Sequence, residues 1–300
     1  MEDYQKLKEG IEKGDFRALA RGLTFVENEI GSSSALLKSI TINQNIPVVG
    51  ITGPPGAGKS TLVNAIVSYF VESGKKIAVL AIDPTSPFNF GSLLGDRIRM
   101  AAQFNKPNVY IRSVATRGSL GGISAKTLEM VDLIRSSNFD LILVETVGVG
   151  QSEVEIAGLA DKTMVVLVPE SGDEIQNIKS GLMEIAQAFV VNKADREGAA
   201  TFANTLKKLL SQQHQSIPIF KTVADKNEGI EALCKWLIKS EMVSSHRKTH
   251  LLAEKAFRII QHARVADIDR IKLREEIGKA ALKSDFNIYK FIEERYRLKN

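Results

Sequence analysis

Gly50-Ile-Thr-Gly53-Pro54-Pro55-Gly56-Ala57-Gly58-Lys59-Ser60-Thr61-Leu62 decides how the rest of the chain is read. Residues 53–60 match G-x-x-x-x-G-K-[ST] in full, directly after the strand-like run PVVGIT (47–52) and directly before the helical pattern TLVNAIVSYF (61–70). Glycines let the backbone fold tightly so that several N–H groups point inward, and the helix that follows adds its positive N-terminal end. Such a loop holds phosphates. Gly53 to Thr61 are therefore expected to bind the phosphate tail of a nucleotide, with Lys59 reaching the β and γ phosphates and the Ser60 hydroxyl ligating Mg²⁺.

Working outward, short apolar runs alternate with longer amphipathic stretches: KIAVLAID (76–83), VYIRSVA (109–115), DLILVET (140–146), TMVVLVPE (163–170), AFVVNKAD (188–195) and IPIFKTVA (217–224). Several are apolar throughout, as strands covered on both faces must be, and the intervening segments are long enough for crossover helices. The pattern predicts an α/β fold with a doubly wound, mainly parallel sheet over residues 46–240. Residues 1–45 predict a helical N-terminal extension, with Phe16, Leu19, Leu23, Val26 and Ile30 recurring behind an Asp15 N-cap and Gly31 punctuating the end. Residues 241–300 predict a C-terminal extension of charged amphipathic helices, marked by Leu252, Phe257 and Ile260, then Ile271, Arg274 and Ile277, then Ile288, Ile292 and Tyr296.

In an open α/β sheet the ligand sits at the carboxyl ends of the strands, and two runs end there in acids, Asp83 and Glu145. Both are expected to face Mg²⁺. Glu145-Thr-Val-Gly148 has the form of a γ-phosphate-sensing turn, so that the Gly148 N–H touches the γ-phosphate and lets go after hydrolysis. The extra methylene of Glu145, relative to aspartate, suggests action through a water. Asp96, in a polar stretch punctuated by glycine, is a further metal candidate. Lys59, Glu145 and Asp96 are the residues expected to serve the chemistry, which would consist of positioning and charge neutralisation at the γ-phosphoryl group. Arg99, Arg112 and Arg117 are candidates for an arginine finger, against the commoner structural role of such residues.

Asn192-Lys193-Ala194-Asp195 closes the run AFVVNKAD and supplies N-K-x-D. An aspartate here accepts from guanine N1–H and the 2-amino group, for which adenine has no matching donors. Polar sites left unpaired by the wrong base discriminate by roughly 10⁴ or more. The turn Val223-Ala224 is expected to offer a backbone N–H to guanine O6.

The 300 residues are 44% hydrophobic and 25% charged, the balance of an ordinary globular protein. Lys and Arg number 40 against 35 Asp and Glu, a net charge of +5 with a sequence pI near 9.1. The basic residues are scattered rather than striped, which argues against nucleic acid as the partner. The longest apolar run, Ile77 to Ile82, is far short of a membrane span. The polar N-terminus and the single Cys234 suggest a cytoplasmic chain. Cys234 shares a helical face with Ile230, Leu233 and Leu237, the placing of a core thiol, while Trp236 beside it suits core or interface. His246 and His250 are four apart, but no Cys or carboxylate completes a metal site around them.

Taken together, GDFRALARGLTFVEN (14–28), GITGPPGAGKSTL (50–62), AIDPTSP (81–87), GSLLGDRIRM (91–100), ATRGSLGG (115–122), ETVGVGQSEVE (145–155), ESGDEIQNIKSG (170–181) and VNKAD (191–195) resemble the MeaB/ArgK family of GTPases. The resemblance implies a homodimeric, Mg²⁺-dependent GTPase that binds GTP and GDP. It also implies that the protein attends an adenosylcobalamin-dependent methylmalonyl-CoA mutase, gating cobalamin loading and protecting the enzyme. It places Asp83, Asp96 and Glu145 on the family's Mg²⁺-associated acids and Asp173 to Lys179 on a segment that signals to the mutase. Two stretches depart from the family pattern: Pro87-Phe88-Asn89-Phe90, where small or basic residues are usual, and Val223-Ala224-Asp225, where Ser-Ala-Leu is usual. Two other functions remain in view. One is a nickel-insertion GTPase of related fold, which would call for a His-rich tract or C-x-x-C. The other is an ATP-using kinase of an amino-acid transport system, against which N-K-x-D argues.

Overall fold

The computed structural model describes residues 4–83, 103–115, 125–146, 156–170, 182–212, 216–239, 245–265, 267–282 and 285–296. Seven strands form one sheet in which every pairing is parallel: β1 (Val48–Thr52), β2 (Ile77–Asp83), β3 (Val109–Ala115), β4 (Leu141–Thr146), β5 (Lys162–Leu167), β6 (Ala188–Asn192) and β7 (Ile219–Thr222). Their order is β3-β2-β4-β1-β5-β6-β7. The side chains show why these strands read as unbroken apolar runs. Val49, Ile51, Ile77, Val79, Leu141 and Leu143 enter one core, while Val48, Ala78, Leu80, Ile82, Ile142 and Val144 enter another. Alternate residues thus point to opposite faces of the sheet, and both faces are covered by helices.

One face carries α4 (Lys59–Glu72), which follows β1, and α8 (Ile230–Ile238), which follows β7. Cys234 is fully buried there, and Trp236 packs at its edge against Phe220, with Lys162 Nζ 4.8 Å from its ring centre. The other face carries α5 (Ala125–Arg135), between β3 and β4, together with the N-terminal helices α1 (Tyr4–Glu12), α2 (Phe16–Glu27) and α3 (Ser33–Ser39). Asp15 caps α2 by accepting from the Arg17 and Ala18 amides, which satisfies two N–H groups that the helix leaves open. Leu19, Leu23 and Val26 are fully buried. A short helix α6 (Leu182–Ile185) and the longer α7 (Ala199–Gln212) flank β6, and α7 buries Phe202, Leu206 and Leu210 against β5 and β6.

The chain falls into two compact units, Met1–Lys255 and Ala256–Asn300. Helix α9 (Ser245–Arg264) runs across this boundary. In the second unit α10 (Arg270–Ala280) is capped by Asp269, and α11 (Ile288–Tyr296) is tied to it by Arg295, which donates two hydrogen bonds to Glu276. Among the described residues no helix is long and apolar enough to cross a membrane.

Candidate functional site

Because all seven strands run the same way, their carboxyl ends share one edge of the sheet. That edge collects the phosphate loop after β1, Asp83 at the end of β2, Glu145 at the end of β4, Asn192 at the end of β6 and the turn after β7. Central β1 lies between β4 and β5, where the winding reverses direction, so the loop at its end lies at the switch point where such sheets bind ligands.

Two glycines shape the loop. Gly53 has φ 139°, and a Cβ there would stand 2.1 Å from the Val166 carbonyl oxygen of β5. Gly58, at φ 82°, precedes α4; a Cβ on it would stand 2.5 Å from Asn192 Nδ2. Neither position admits a side chain, which is why the sequence spends its glycines there. The Lys59 ammonium, buried inside the loop, donates to the carbonyls of Gly53 at 2.7 Å and Pro54 at 2.9 Å. One residue on, the Ser60 hydroxyl donates to Glu145 Oε1 at 2.7 Å, and both residues are buried. Register places Glu145 level with Ile51 of β1 and Ala81 of β2. The next rung is polar too, with the Thr146 hydroxyl donating to Thr52 Oγ1 at 3.0 Å.

Sequence separation hides the second joint. Asn192 is 2% exposed, and its Nδ2 donates to the Ala57 carbonyl at 3.0 Å. Lys193 Nζ donates to the Gly56 carbonyl at 2.8 Å. The N-K-x-D stretch is thereby fastened to the phosphate loop by two hydrogen bonds spanning about half the chain. Lys193 holds φ 55°, a left-handed conformation uncommon for a residue with a side chain and typical of functional turns. Asn192 Oδ1 accepts from the Thr222 hydroxyl at 3.0 Å and from the Ala224 amide at 3.3 Å. Asp195 Oδ2 accepts from Lys226 at 2.8 Å; that ammonium holds the exposed Asp195 carboxyl below its ordinary range. Arg196, next along, is paired with Glu170 at the end of the β5 segment.

Several sequence expectations are thus located. Lys59, Ser60, Glu145, Asn192 and Lys193 converge on one place. Val223 and Ala224 lie beside it, but their amides are committed, Val223 to the Glu228 carbonyl at 3.1 Å and Ala224 to Asn192. Glu145 stands beside Ser60, the hydroxyl expected to ligate Mg²⁺. Arg112, one of the three finger candidates, points into the N-terminal extension. Its guanidinium donates to Glu27 at 2.5 Å and to Thr24 Oγ1 and the Ala20 carbonyl at 3.2 Å, so it staples β3 to α2. Asp96, Arg99, Arg117, Gly148, Pro87 to Phe90 and Asp173 to Lys179 lie outside the described residues. Sequence reasoning missed Lys226: its only signal was a basic residue in the turn after the last strand.

Fold and loop together define a P-loop nucleotide-binding protein of the doubly wound α/β class. Residues 19–273 match the family described as Methylmalonyl Co-A mutase-associated GTPase MeaB, and the chain belongs to that family of GTPases. It is 42% identical over 288 residues to a Pyrococcus horikoshii protein named as a GTPase, covering 92% of this chain and 85% of that one. It is 37% identical over 248 residues to the mouse protein named methylmalonic aciduria type A homolog, mitochondrial, covering 75% of this chain and 60% of that one. Among solved structures, one titled LAO/AO transport system kinase superposes with a TM-score of 0.67 at 24% identity over 98% of each chain. HypB of Helicobacter pylori in complex with nickel follows at a TM-score of 0.51 and 16% identity, over 74% of this chain and 94% of that one. These two likenesses concern the fold.

Proposed function

We propose that this GTPase is Mg²⁺-dependent and acts as a nucleotide-gated chaperone of an adenosylcobalamin-dependent acyl-CoA mutase of the methylmalonyl-CoA type, supporting cofactor loading and protecting the enzyme. The observation that carries the nucleotide reading is the direct fastening of Asn192 and Lys193 to the carbonyls of Ala57 and Gly56. A phosphate holder and a purine reader are thereby held at a fixed separation, as a site for a single bound nucleotide requires. The mutase partner is supported by the family description and by the name of the mouse relative.

In this reading residues 46–240 form the GTPase domain, 1–45 an N-terminal helical extension and 241–300 an arm through which the protein forms a homodimer, in the cytoplasm. Gly53 to Thr61 hold the phosphates. The Lys59 ammonium serves the β and γ phosphate oxygens, neutralising charge that grows on them during transfer. Asn192 and Lys193 frame the base, and Asp195 accepts from guanine N1–H and the 2-amino group.

The residues present fit Mg²⁺. This ion takes hard oxygen ligands and is usually held by one or two carboxylates together with substrate phosphates. Ser60 Oγ and Glu145 Oε1 are two such oxygens, side by side at the loop. Among the described residues no group of three or more His, Cys, Asp or Glu could form an all-protein metal cage, and none is called for by an ion that shares its shell with a nucleotide. Ser60 and Glu145, with Asp83 and Asp96, are proposed to hold it, and bound there it would offset the negative charge of the phosphates. With Arg112 occupied structurally, intrinsic turnover is slow and rises when the partner docks.

Calorimetry with GTP, ATP and GDP tests the site: GTP and GDP bind in the presence of Mg²⁺ and ATP does not. Equal affinity for ATP, or no uptake of either triphosphate, defeats the reading. A pull-down of the mutase with the protein loaded with GTPγS or GDP tests the partner, and retention that ignores the nucleotide defeats the gating.

A further inference from the structure

The turn after β7 has four hydrogen-bond donors near the N-K-x-D stretch, and the structure shows where each one goes. The Thr222 hydroxyl and the Ala224 amide both serve Asn192 Oδ1. The Val223 amide serves Glu228, whose own amide returns to the Val223 carbonyl at 3.2 Å. Of these four, Lys226 is the one that serves Asp195, through Oδ2 at 2.8 Å. Val223 has no side-chain donor of its own. Arg196, the other cation beside Asp195, is turned to Glu170.

The turn is also stiff. Its two ends are joined by the Val223–Glu228 bridge, the Lys226 amide donates to the Val223 carbonyl at 3.0 Å, and Asn227 is in the left-handed region at φ 58°. Gly229 stands at φ 75°, where a Cβ would fall 2.1 Å from the Lys221 carbonyl oxygen. The Lys226 backbone is therefore fixed relative to Asn192, although its side chain is exposed.

From this geometry we infer that Lys226 is a positioning residue for guanine recognition, holding one oxygen of Asp195 so that the carboxylate presents both oxygens at a set angle to the base. The inference rests on Asp195 reading guanine. Its consequence follows from counting donors. Guanine presents two, N1–H and the 2-amino group, and needs the carboxylate plane aligned with the base. Hypoxanthine presents one, and a carboxylate free to rotate still meets it. Lys226 therefore sharpens discrimination between GTP and ITP and acts on binding rather than on phosphoryl transfer. The pair is half exposed, so the effect is modest: exposed ion pairs correspond to about a two- to five-fold change in an equilibrium constant.

The experiment measures KM and kcat for GTP and ITP, with calorimetric affinities, in the full chain and in Lys226→Met and Lys226→Arg. The expected result for Lys226→Met is a GTP affinity weaker by about two- to five-fold, an ITP affinity close to wild type, an unchanged kcat, and recovery of the GTP to ITP ratio in Lys226→Arg. Thermal unfolding of each variant checks folding; loss of stability alone would weaken both nucleotides together. Wild type that prefers GTP over ATP while Lys226→Met keeps the wild-type GTP to ITP ratio overturns the role of Lys226 alone. Tighter GTP binding in Lys226→Met overturns it too, because Lys226 would then be a competitor for Asp195. Wild type without preference for GTP over ATP overturns the guanine reading beneath it.

Discussion

Gly58→Ala tests whether the phosphate loop and the end of β6 are one mechanical unit. The added Cβ would lie 2.5 Å from Asn192 Nδ2 and 3.8 Å from its Cγ. Two costs follow. Alanine at φ 82° pays for the left-handed backbone, about 1–2 kcal/mol. Asn192, 2% exposed, must swing away and give up its bond to the Ala57 carbonyl, leaving buried polar groups unmatched at about 1–3 kcal/mol. The expected loss is therefore about 2–5 kcal/mol in a wild-type background. Asn192→Ala removes the amide in advance, so that Gly58→Ala on top of it costs the backbone part alone, about 1–2 kcal/mol. Gly56→Ala is the control: φ is 78° but nothing lies within 4 Å of its Cβ, so it costs the same in either background. Urea unfolding of the nucleotide-free variants, with the slope checked for constancy, gives the double-mutant cycle, and the coupling should be about 1–3 kcal/mol. An equal loss from Gly58→Ala with and without the Asn192 side chain refutes the joint.

Three further outcomes are expected. Gly50→Ala puts a Cβ 2.5 Å from Ile156 Cγ1 and 3.0 Å from Ala160 Cβ, so it should cost about 1–3 kcal/mol by overpacking; a second change, Ile156→Ala, should recover part of that loss in urea unfolding. Arg112→Met should remove about 1.5–3 kcal/mol of stability through its charged hydrogen bonds to α2 and leave single-turnover GTP hydrolysis of the folded protein unchanged, whereas a large fall in turnover at full stability would make Arg112 catalytic. Burial pushes the Cys234 thiol up to about 12, which keeps the thiolate scarce at neutral pH; a thiol reagent at pH 8 should therefore label the chain only once denaturant is added, and fast labelling of the native protein would contradict the buried placement.

What could be read from the sequence was whatever depends on neighbours along the chain or on burial. All seven apolar runs became strands, β1, β4, β5 and β6 buried along their whole length and the edge strand β7 leaving Lys221 exposed, and Asp15 caps α2 because an Asx cap is a local event. The runs overshoot where a single torsion ends the strand: AFVVNKAD stops pairing at Asn192, since Lys193 turns to φ 55°. The motifs announced Lys59, Ser60, Glu145 and Asn192 because their spacing to a glycine loop or a strand end is itself the signal. Their partners were not announced. That Ser60 meets Glu145, or Asn192 the Ala57 carbonyl, depends on the order β4-β1-β5-β6, which brings together strand ends far apart in sequence. Arg112 shows the same limit from the other side: an arginine on a strand reads alike whether it serves a phosphate or a helix, and the presence of Glu27 at the end of α2 decides for the helix. Lys226 is the sharpest case, because a lysine in an exposed turn carries no pattern at all. Its meaning arises only when β6 and β7 pair Asn192 with Thr222, which sets the two turns side by side and brings the Lys226 ammonium to the Asp195 carboxylate.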